Sequence, residues 1–208
     1  VYSNDSYMSR YINGLLMTQL WWSNHSDVMR FYANEFIAGN SNDFRHLEVG
    51  AGHGLFLYFA ANDPKCAHAE GWDVSASSIM ASKAALERLD VAKMPVLLEQ
   101  DLFDNPKGEF DSIVFSEVLE HLDRPTDAMA VLRSLLNKNG RLFINMPINS
   151  PAPDHIFNIE TPELLSEYLE KAGFKIISSA YYPATNQTME MSRAKNLTIS
   201  CAYILTPD

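Results

Sequence analysis

The sequence of 208 residues predicts an α/β fold in which a mostly parallel, seven-stranded sheet carries helices on both faces. Short apolar runs alternate with helical patterns of apolar residues along most of the chain, which is typical of parallel strands joined by crossover helices. The run Phe110–Ser116 (FDSIVFS) is almost continuously apolar, as expected of a strand buried on both faces. The last two predicted strands are joined by a loop alone, so we expect them to form an antiparallel hairpin at the edge of the sheet.

The predicted elements follow in order along the chain. The first strand (Arg45–Gly50) leads through a glycine-rich turn into a helix at Leu55–Ala61. Further strands are expected at residues 68–74, 94–100, 110–116, 141–146, 174–181 and 197–205, and helices at residues 75–89, 126–136 and 161–173. Asn139-Gly140 is predicted to turn the chain into the strand at 141–146. Residues 183–196 show no apolar period and are predicted to be a loop.

Two amphipathic helices are predicted in front of the first strand, within residues 7–37. Their apolar stripes are Met8, Ile12, Leu15 and Leu16 in the first helix and Val28, Met29, Tyr32 and Phe36 in the second. We therefore expect an N-terminal helical lid over residues 1–40 and one compact domain over residues 41–208.

Composition and charge narrow the classes of partner. Lys and Arg total 16 and Asp and Glu total 26, which gives a formal net charge of −10. Because the sequence shows no basic patch against this background, we expect no nucleic-acid partner. No apolar run approaches the roughly 18 residues of a membrane span, and no signal-peptide pattern opens the sequence. The two cysteines, Cys66 and Cys201, have no metal-ligand or redox spacing. We expect a cytoplasmic protein without a membrane partner.

The turn after the first strand has the composition of a ligand-binding loop. Gly50, Gly52 and Gly54 alternate in the order G-x-G-x-G, whereas dinucleotide-binding loops have G-x-G-x-x-G and would need a glycine at Leu55. Glu48 lies two residues before the first glycine, where a carboxylate would repel a pyrophosphate and attract a cation.

Two further carboxylates end the next strands. Asp73 ends the second strand, where an acidic residue accepts hydrogen bonds from ribose hydroxyls in nucleoside-binding sheets, and Asp101 ends the third. Each acid alone is as well explained by a helix cap or an exposed surface carboxylate. Together with Glu48 and the glycines they indicate a ligand with a nucleoside and a positive charge but no phosphate.

Several segments taken together resemble the class I S-adenosylmethionine-dependent methyltransferases. The likeness is greatest to the small-molecule branch that includes the ubiquinone-biosynthesis O-methyltransferases. It runs from about residue 45 to the C-terminus and rests on HLEVGAGHG, EGWDVSASSIMASKA, EQDLF, FDSIVFSEVLEHLDRPTDAMAVLRSLLNKNGRLFINMP and DHIFNIETPELLSEYLEKAGF. The resemblance implies a Rossmann-like fold, S-adenosylmethionine as methyl donor and S-adenosylhomocysteine as product.

The resemblance also assigns cofactor-binding roles. Glu48 and the loop glycines would hold the methionine part, Asp73 the ribose, and Asp101 with Leu102 the adenine, while Ser116 would line the site. The full set predicted to bind the cofactor is Glu48, Gly50, Ala51, Gly52, Gly54, Asp73, Val74, Asp101, Leu102 and Ser116.

For the reaction we expect methyl transfer to a small molecule, at a hydroxyl oxygen and without a metal. A hydroxyl acceptor benefits from a general base with a pKa near neutrality, which favours histidine. His121 follows the fourth strand and His155 the fifth, so both are candidate catalytic residues; the alternative for each is a hydrogen bond that orders its loop. Glu117, Glu120 and His121 are close in sequence but match no zinc or di-metal spacing.

Two other functions stay open at this point. One is a protein or peptide methyltransferase, and the other is a non-catalytic subunit that binds S-adenosylmethionine. The aromatic residues of the lid, Trp21 and Trp22 among them, would line an apolar acceptor pocket or pack against the sheet or a second subunit. A homodimer is therefore a possible assembly.

Overall fold

The computed structural model describes residue 14 and residues 16–208 of the chain. The strands of its sheet are β1 (Phe44–Val49), β2 (Cys66–Asp73), β3 (Val96–Glu99), β4 (Phe110–Ser116), β5 (Leu136–Ile148), β6 (Phe174–Pro183) and β7 (Ile199–Pro207). The helices are α1 (Ser23–Phe31), continued by a π-helix (Tyr32–Ile37), then α2 (Leu55–Asn62), α3 (Ala76–Arg88), α4 (Pro125–Leu135), α5 (Pro162–Lys171) and α6 (Met189–Lys195), with a 3₁₀ turn at Leu119–His121.

The strands form one seven-stranded sheet in the order β3-β2-β1-β4-β5-β7-β6. Strands β1 to β5 pair in parallel, and β7 pairs antiparallel with both β5 and β6. The predicted α/β class and the antiparallel C-terminal hairpin are confirmed. The chain leaves β1 toward β3 and returns to β4 on the other side of β1, and this reversal opens a crevice at the carboxyl ends of the strands.

The core lies on both faces of the sheet. Along β4, Ile113 and Phe115 pack in the cluster under α4 and α5, whereas Val114 packs on the opposite face, because successive strand residues point to opposite sides. That opposite face is covered by α2 and by the π-helix, whose Tyr32 and Phe36 are fully buried.

Two predicted loops turn out to be regular structure. Strand β5 begins at Leu136, and its register against β4 shifts after Phe110, so Asn139 and Gly140 lie inside an irregular part of the strand and not in a turn before it. Residues 183–196 contain α6, which begins after Thr188, whose side chain accepts from the Met191 N–H, and ends at Asn196 with φ of 51°. A seven-residue helix is too short to show a clear apolar period.

The second of the two predicted N-terminal helices is confirmed as α1 with its π-helical continuation. Residues 16–21 are also helical, whereas most of the first predicted helix, including Met8, Ile12 and Leu15, lies outside the described residues. Within residue 14 and residues 16–208, no helix has the length and apolar character needed to cross a membrane.

Candidate functional site

Two adjoining cavities lie at the carboxyl ends of the central strands. The larger has a volume of about 210 Å³ and is lined by residues that follow β1, β2, β3 and β4. The smaller, of about 80 Å³, lies between the ends of β1, β4 and β5 and the N-terminal helices. Gly50, Gly52 and Glu117 line both cavities, so one ligand can extend from the first into the second.

The glycine-rich loop after β1 forms the boundary between the cavities. Gly50, Gly52 and Gly54 have φ of 77°, 47° and 75°, in the left-handed region that favours glycine. A Cβ at Gly50 would lie 2.5 Å from Cγ2 of Val118, so the loop also needs glycine there for packing. Ala51 lines the smaller cavity.

Gly54 has a different role from the other two glycines. Among the described residues it lines neither cavity, and a Cβ there would lie 3.4 Å from the backbone of Ser82 in α3. It caps the start of α2 and allows α2 and α3 to approach closely. Its predicted contact with the cofactor stays a prediction.

Asp73 ties the end of β2 to the glycine loop. One oxygen accepts from the Ser75 N–H at 2.9 Å, and the other accepts from the Gly52 N–H at 3.4 Å. Burial raises the pKa of the Asp73 carboxyl, and these hydrogen bonds oppose that rise. The contact to Gly52 is long and weak, so a ligand hydroxyl in the larger cavity can replace it.

Val74, Asp101 and Leu102, which the resemblance places in the cofactor site, line the larger cavity. Asp101 accepts from the Phe103 N–H at 2.8 Å, and Leu102 is buried beside it. Val74 is 56% exposed and offers an apolar surface at the cavity rim. Ser116 lines only the smaller cavity, where the side-chain N–H of Asn145 donates to its Oγ at 3.3 Å.

The smaller cavity contains buried hydrogen-bond acceptors without partners. The Leu57 N–H donates to Glu48, but Oε2 of Glu48 has no partner among the described residues. Oδ1 of Asn145 is likewise unpaired within residues 16–208. Both side chains are less than 5% exposed. Burial raises the pKa of Glu48 well above its usual range, and the nearby Asp73 adds to this effect. Unpaired buried acceptors of this kind are explained by a ligand that donates hydrogen bonds.

The segment after β4 carries two further buried carboxyl groups. Glu117 has φ of 54°, unusual for a non-glycine residue, and its carboxyl accepts a 2.6 Å hydrogen bond from the side chain of Asn145. Burial raises its pKa to about 7. Glu120 is 1% exposed, and in the part of the chain that the structure describes neither of its oxygens has a hydrogen-bond partner. Burial and the nearby Glu117 raise its pKa well above the usual range.

The two predicted catalytic histidines lie beside Glu120. Nδ1 of His121 donates to the backbone oxygen of Asp154 at 2.9 Å, and Nδ1 of His155 donates to that of Ser150 at 2.8 Å. A carbonyl oxygen only accepts, so each neutral ring has its lone pair on Nε2. The two rings meet edge to face with centroids 4.9 Å apart. His121 lines the larger cavity, whereas His155, judged on the described lining residues, lies behind it.

Glu120, His121 and His155 form a cluster of potential metal ligands. One ligand atom from each lies within 4.8 Å of the others, and Oε1 of Glu120 is 4.0 Å from Nε2 of His121. Sequence spacing did not indicate this group because His155 comes from the loop after β5. A carboxylate with two imidazoles is a donor set that suits a divalent cation.

A family model described as a methyltransferase domain matches residues 22–179, which is most of the chain. The chain belongs to this methyltransferase family. The predicted family and fold are confirmed.

Curated relatives agree with this assignment, and solved structures of lower identity share the fold. The ubiquinone biosynthesis O-methyltransferase of Dechloromonas aromatica is 27% identical over 131 residues, which cover 61% of this chain and 54% of that protein. The chain spans about half the length of the curated relatives it matches. A complex of a Haloferax volcanii methyltransferase activator with a methyltransferase has a TM-score of 0.72 at 12% identity, covering 98% of this chain and 96% of that one. The magnesium protoporphyrin IX methyltransferase of Synechocystis PCC 6803, with bound S-adenosylmethionine, has a TM-score of 0.63 at 18% identity, covering 88% and 82%.

Three polar residues of the methyltransferase site were not predicted to bind or react. Glu117 follows β4 directly, and His25 lines the smaller cavity from α1. Asn145 lies within β5 opposite Ser116, near the end of the strand predicted at 141–146. No feature of the sequence predicts that Glu117, a non-glycine residue, adopts a positive φ. The strand end itself was the available signal for Asn145, because the same rule selected Asp73 and Asp101.

Proposed function

We propose that this chain transfers a methyl group from S-adenosylmethionine to a hydroxyl oxygen of a small molecule. The methyl donor is S-adenosylmethionine, and the product is S-adenosylhomocysteine. One observation carries the proposal: in residues 16–208, neither cavity is lined by a lysine or an arginine, whereas Glu48, Asp73, Asp101 and Glu117 contribute carboxyl groups. Burial raises the pKa of Glu48, Asp73 and Glu117, and a bound sulfonium favours their ionised form, whereas the diphosphate of a dinucleotide would be repelled by it.

The larger cavity fits the adenosine part of the donor. Asp73 accepts from the ribose hydroxyls in place of its weak contact to Gly52, and Asp101 accepts from the exocyclic amine of adenine. Val74 and Leu102 supply apolar contact with the base. Glycine at position 50 and at position 52 allows the ligand to pass from this cavity into the smaller one without meeting a side chain.

The bound sulfonium supplies an activated methyl carbon, and the chain's own residues align the acceptor and take its proton. The acceptor oxygen forms a bond to that carbon, the carbon–sulfur bond breaks, and the electron pair stays on sulfur. Nε2 of His121 takes the hydroxyl proton, because its lone pair is free and its ring lines the larger cavity. His155 holds the neighbouring position and orients the ring of His121 by edge-to-face contact.

The experiment that tests this proposal uses methyl-labelled S-adenosylmethionine with a panel of phenols, catechols, primary amines and peptides. We expect label in phenols or catechols, and a rate at least ~100-fold lower in His121→Gln, since general-base catalysis contributes about 100- to 10,000-fold. The donor should still bind that variant with unchanged affinity in isothermal titration. Label in peptides alone would favour the alternative protein methyltransferase, and donor binding without turnover would favour the non-catalytic subunit.

The cluster of Glu120, His121 and His155 supports a second candidate function. It is methyl transfer assisted by a divalent cation, in place of the metal-independent transfer expected from sequence. The observation that favours it is the buried Glu120 carboxyl, which is unpaired among the described residues and lies within 4.8 Å of a ring nitrogen of each histidine. Exhaustive dialysis against a chelator separates the candidates. A rate that is lost and then restored by Mg²⁺ or Mn²⁺ supports the cation, and an unchanged rate supports the histidine base alone.

A cytoplasmic location and a homodimer stay predictions.

A further inference from the structure

Glu117 lies at the junction where the two cavities meet. The residues that line both cavities are Gly50, Gly52 and Glu117. The two glycines contribute no side chain, so among the described residues Glu117 alone brings a charged group to this junction. What its carboxyl group contacts there depends on which part of the methyl donor crosses from one cavity to the other.

The covalent structure of the donor decides which of its atoms crosses the junction. S-adenosylmethionine joins adenosine to its amino-acid chain through one sulfur atom, which carries the methyl group and a positive charge. When adenosine occupies the larger cavity, the chain beyond the sulfur extends toward the smaller one. The sulfonium is therefore expected at the junction, beside Glu117.

Asn145 of β5 holds Glu117 in a fixed position. The backbone N–H of Glu117 donates to the backbone oxygen of Asn145 at 2.8 Å, and the side-chain N–H of Asn145 donates to Oε1 of Glu117 at 2.6 Å. These two bonds hold Glu117 at φ of 54°, a strained conformation of the kind that clusters at functional sites. Since Asn145 binds Oε1, the other carboxylate oxygen is available to a ligand in the cavities.

The carboxyl group of Glu117 can carry its charge when a cation binds beside it. Burial raises its pKa to about 7, so the group is largely ionised at pH 8, and a neighbouring cation stabilises the ionised form further. Within residues 16–208 no lysine or arginine lines either cavity to neutralise it. A carboxylate in such a site attracts a bound cation more strongly than a carboxylate surrounded by water.

We propose that Glu117 distinguishes the methyl donor from the product by charge, because its carboxylate pairs with the sulfonium of S-adenosylmethionine and not with the neutral sulfur of S-adenosylhomocysteine. Methyl transfer removes the positive charge from sulfur, since the electron pair of the broken carbon–sulfur bond stays there. The ion pair is lost in the same step, which favours release of the product. The inference rests on the donor of the proposed function and is independent of its acceptor.

The test compares three ligands that differ at the position of the sulfonium. S-adenosylmethionine has a methylated, positively charged sulfur, S-adenosylhomocysteine has a neutral sulfur, and sinefungin has a carbon with a protonated amino group in its place. Their dissociation constants are measured by isothermal titration at pH 8, without acceptor, for the wild type, Glu117→Gln, Glu48→Gln and Glu99→Gln. As described, Glu48 lines the smaller cavity only, and Glu99 is an exposed residue of β3 outside both cavities.

We expect Glu117→Gln to weaken the binding of S-adenosylmethionine and sinefungin by at least ~10-fold, the lower end of the coupling between close opposite charges. The same variant should bind S-adenosylhomocysteine within about 3-fold of the wild type, because the amide keeps the shape of the side chain and its hydrogen bond from Asn145. Glu48→Gln should weaken all three ligands by similar factors, since their amino-acid ends are identical, and Glu99→Gln should change none of them. Near-normal product binding also shows that Glu117→Gln is folded.

Three results would overturn the inference. One is a similar loss of affinity for all three ligands in Glu117→Gln, which means that the residue only supports the shape of the site. Another is unchanged affinity for S-adenosylmethionine, and the third is a loss for S-adenosylmethionine alone, which assigns the effect to the methyl group and not to charge. A wild-type chain that binds none of the three ligands would instead refute the donor of the proposed function, whereas one that binds all three and methylates no hydroxyl would refute only its acceptor.

Discussion

A pair of alanine substitutions in the glycine loop separates ligand binding from stability. Gly50 and Gly52 both have positive φ, so alanine at either position costs about 1–2 kcal/mol of backbone strain. At Gly52 the new Cβ would meet only the backbone oxygen of Gly50, at 3.7 Å, among the described residues, so the methyl group projects into open space beside both cavities. At Gly50 the Cβ would lie 2.5 Å from the branched side chain of Val118, and overpacking of this kind adds about 1–3 kcal/mol.

These magnitudes give different outcomes for the two variants. For a chain of this length, 1 kcal/mol lowers the melting temperature by about 2–4 °C. Gly52→Ala should therefore melt about 2–8 °C below the wild type and bind S-adenosylhomocysteine at least ~10-fold more weakly, because its methyl group occupies the path of the ligand. Gly50→Ala should melt a further 2–12 °C lower, in proportion to the added overpacking of about 1–3 kcal/mol.

The assays are thermal unfolding by circular dichroism and isothermal titration with S-adenosylhomocysteine. Gly173→Ala is the matched control, since Gly173 has φ of 86°, and the nearest atoms to its Cβ belong to the flexible side chain of Arg133. That variant should lose stability and keep wild-type affinity. Wild-type affinity in Gly52→Ala would refute the assignment of the loop to the ligand, and equal stability of Gly50→Ala and Gly52→Ala would refute the packing argument.

Three more outcomes are expected. Asp73→Asn should weaken S-adenosylhomocysteine about 10- to 100-fold in isothermal titration, because a charged acceptor for the ribose hydroxyls is lost. Glu117→Gln should melt above the wild type at pH 8 and near it at pH 5, because the raised pKa of about 7 favours the protonated folded form, and that stabilisation is lost as pH rises through 7. Tyr32→Phe should lower the free energy of unfolding by about 0.5–1.5 kcal/mol in urea, because its buried hydroxyl donates to the Phe56 oxygen at 2.9 Å.

Each of these has a result that contradicts it. Unchanged affinity in Asp73→Asn would remove the ribose role. A Glu117→Gln variant whose melting temperature follows pH as the wild type does would show that another group titrates in this range. A Tyr32→Phe variant as stable as the wild type would mean that its hydroxyl is equally well satisfied in the unfolded chain.

The fold and the positions of the strand-end carboxyl groups were predictable because local sequence patterns and topology determine them. A nearly continuous apolar run such as Phe110–Ser116 indicates a strand with both faces covered, and the structure places it in the middle of the sheet. Parallel strands end at one edge, so the ends of the first three predicted strands bring Glu48, Asp73 and Asp101 to the same crevice. The placement of these three residues could be predicted without knowing how the loops fold.

The contact between His121 and His155 was harder to predict because it depends on how two loops fold. His155 reaches His121 only because the loop after β5 folds back, and the N–H groups of Ile156 and Phe157 both donate to the backbone carbonyl oxygen of Glu120 at 2.9 Å. No local pattern in that segment indicates these bonds. Gly54, unlike Gly50 and Gly52, lines neither cavity as described and lies against the backbone of Ser82, a packing position that the sequence pattern does not distinguish from the other two glycines.

The π-helix that continues α1 fixes where the N-terminal region is anchored. Its Tyr32 and Phe36 pack with Phe56 and Phe143 in an aromatic cluster beneath the sheet, while the residues just before α1 are outside that cluster as described. Trp21 and Trp22 are 71% and 51% exposed. The segment before α1 can accordingly change in sequence or length over evolution without opening the hydrophobic core. Variation there would change the helix side of the smaller cavity, to which Gln19 contributes, and would leave the packing against the sheet as it is.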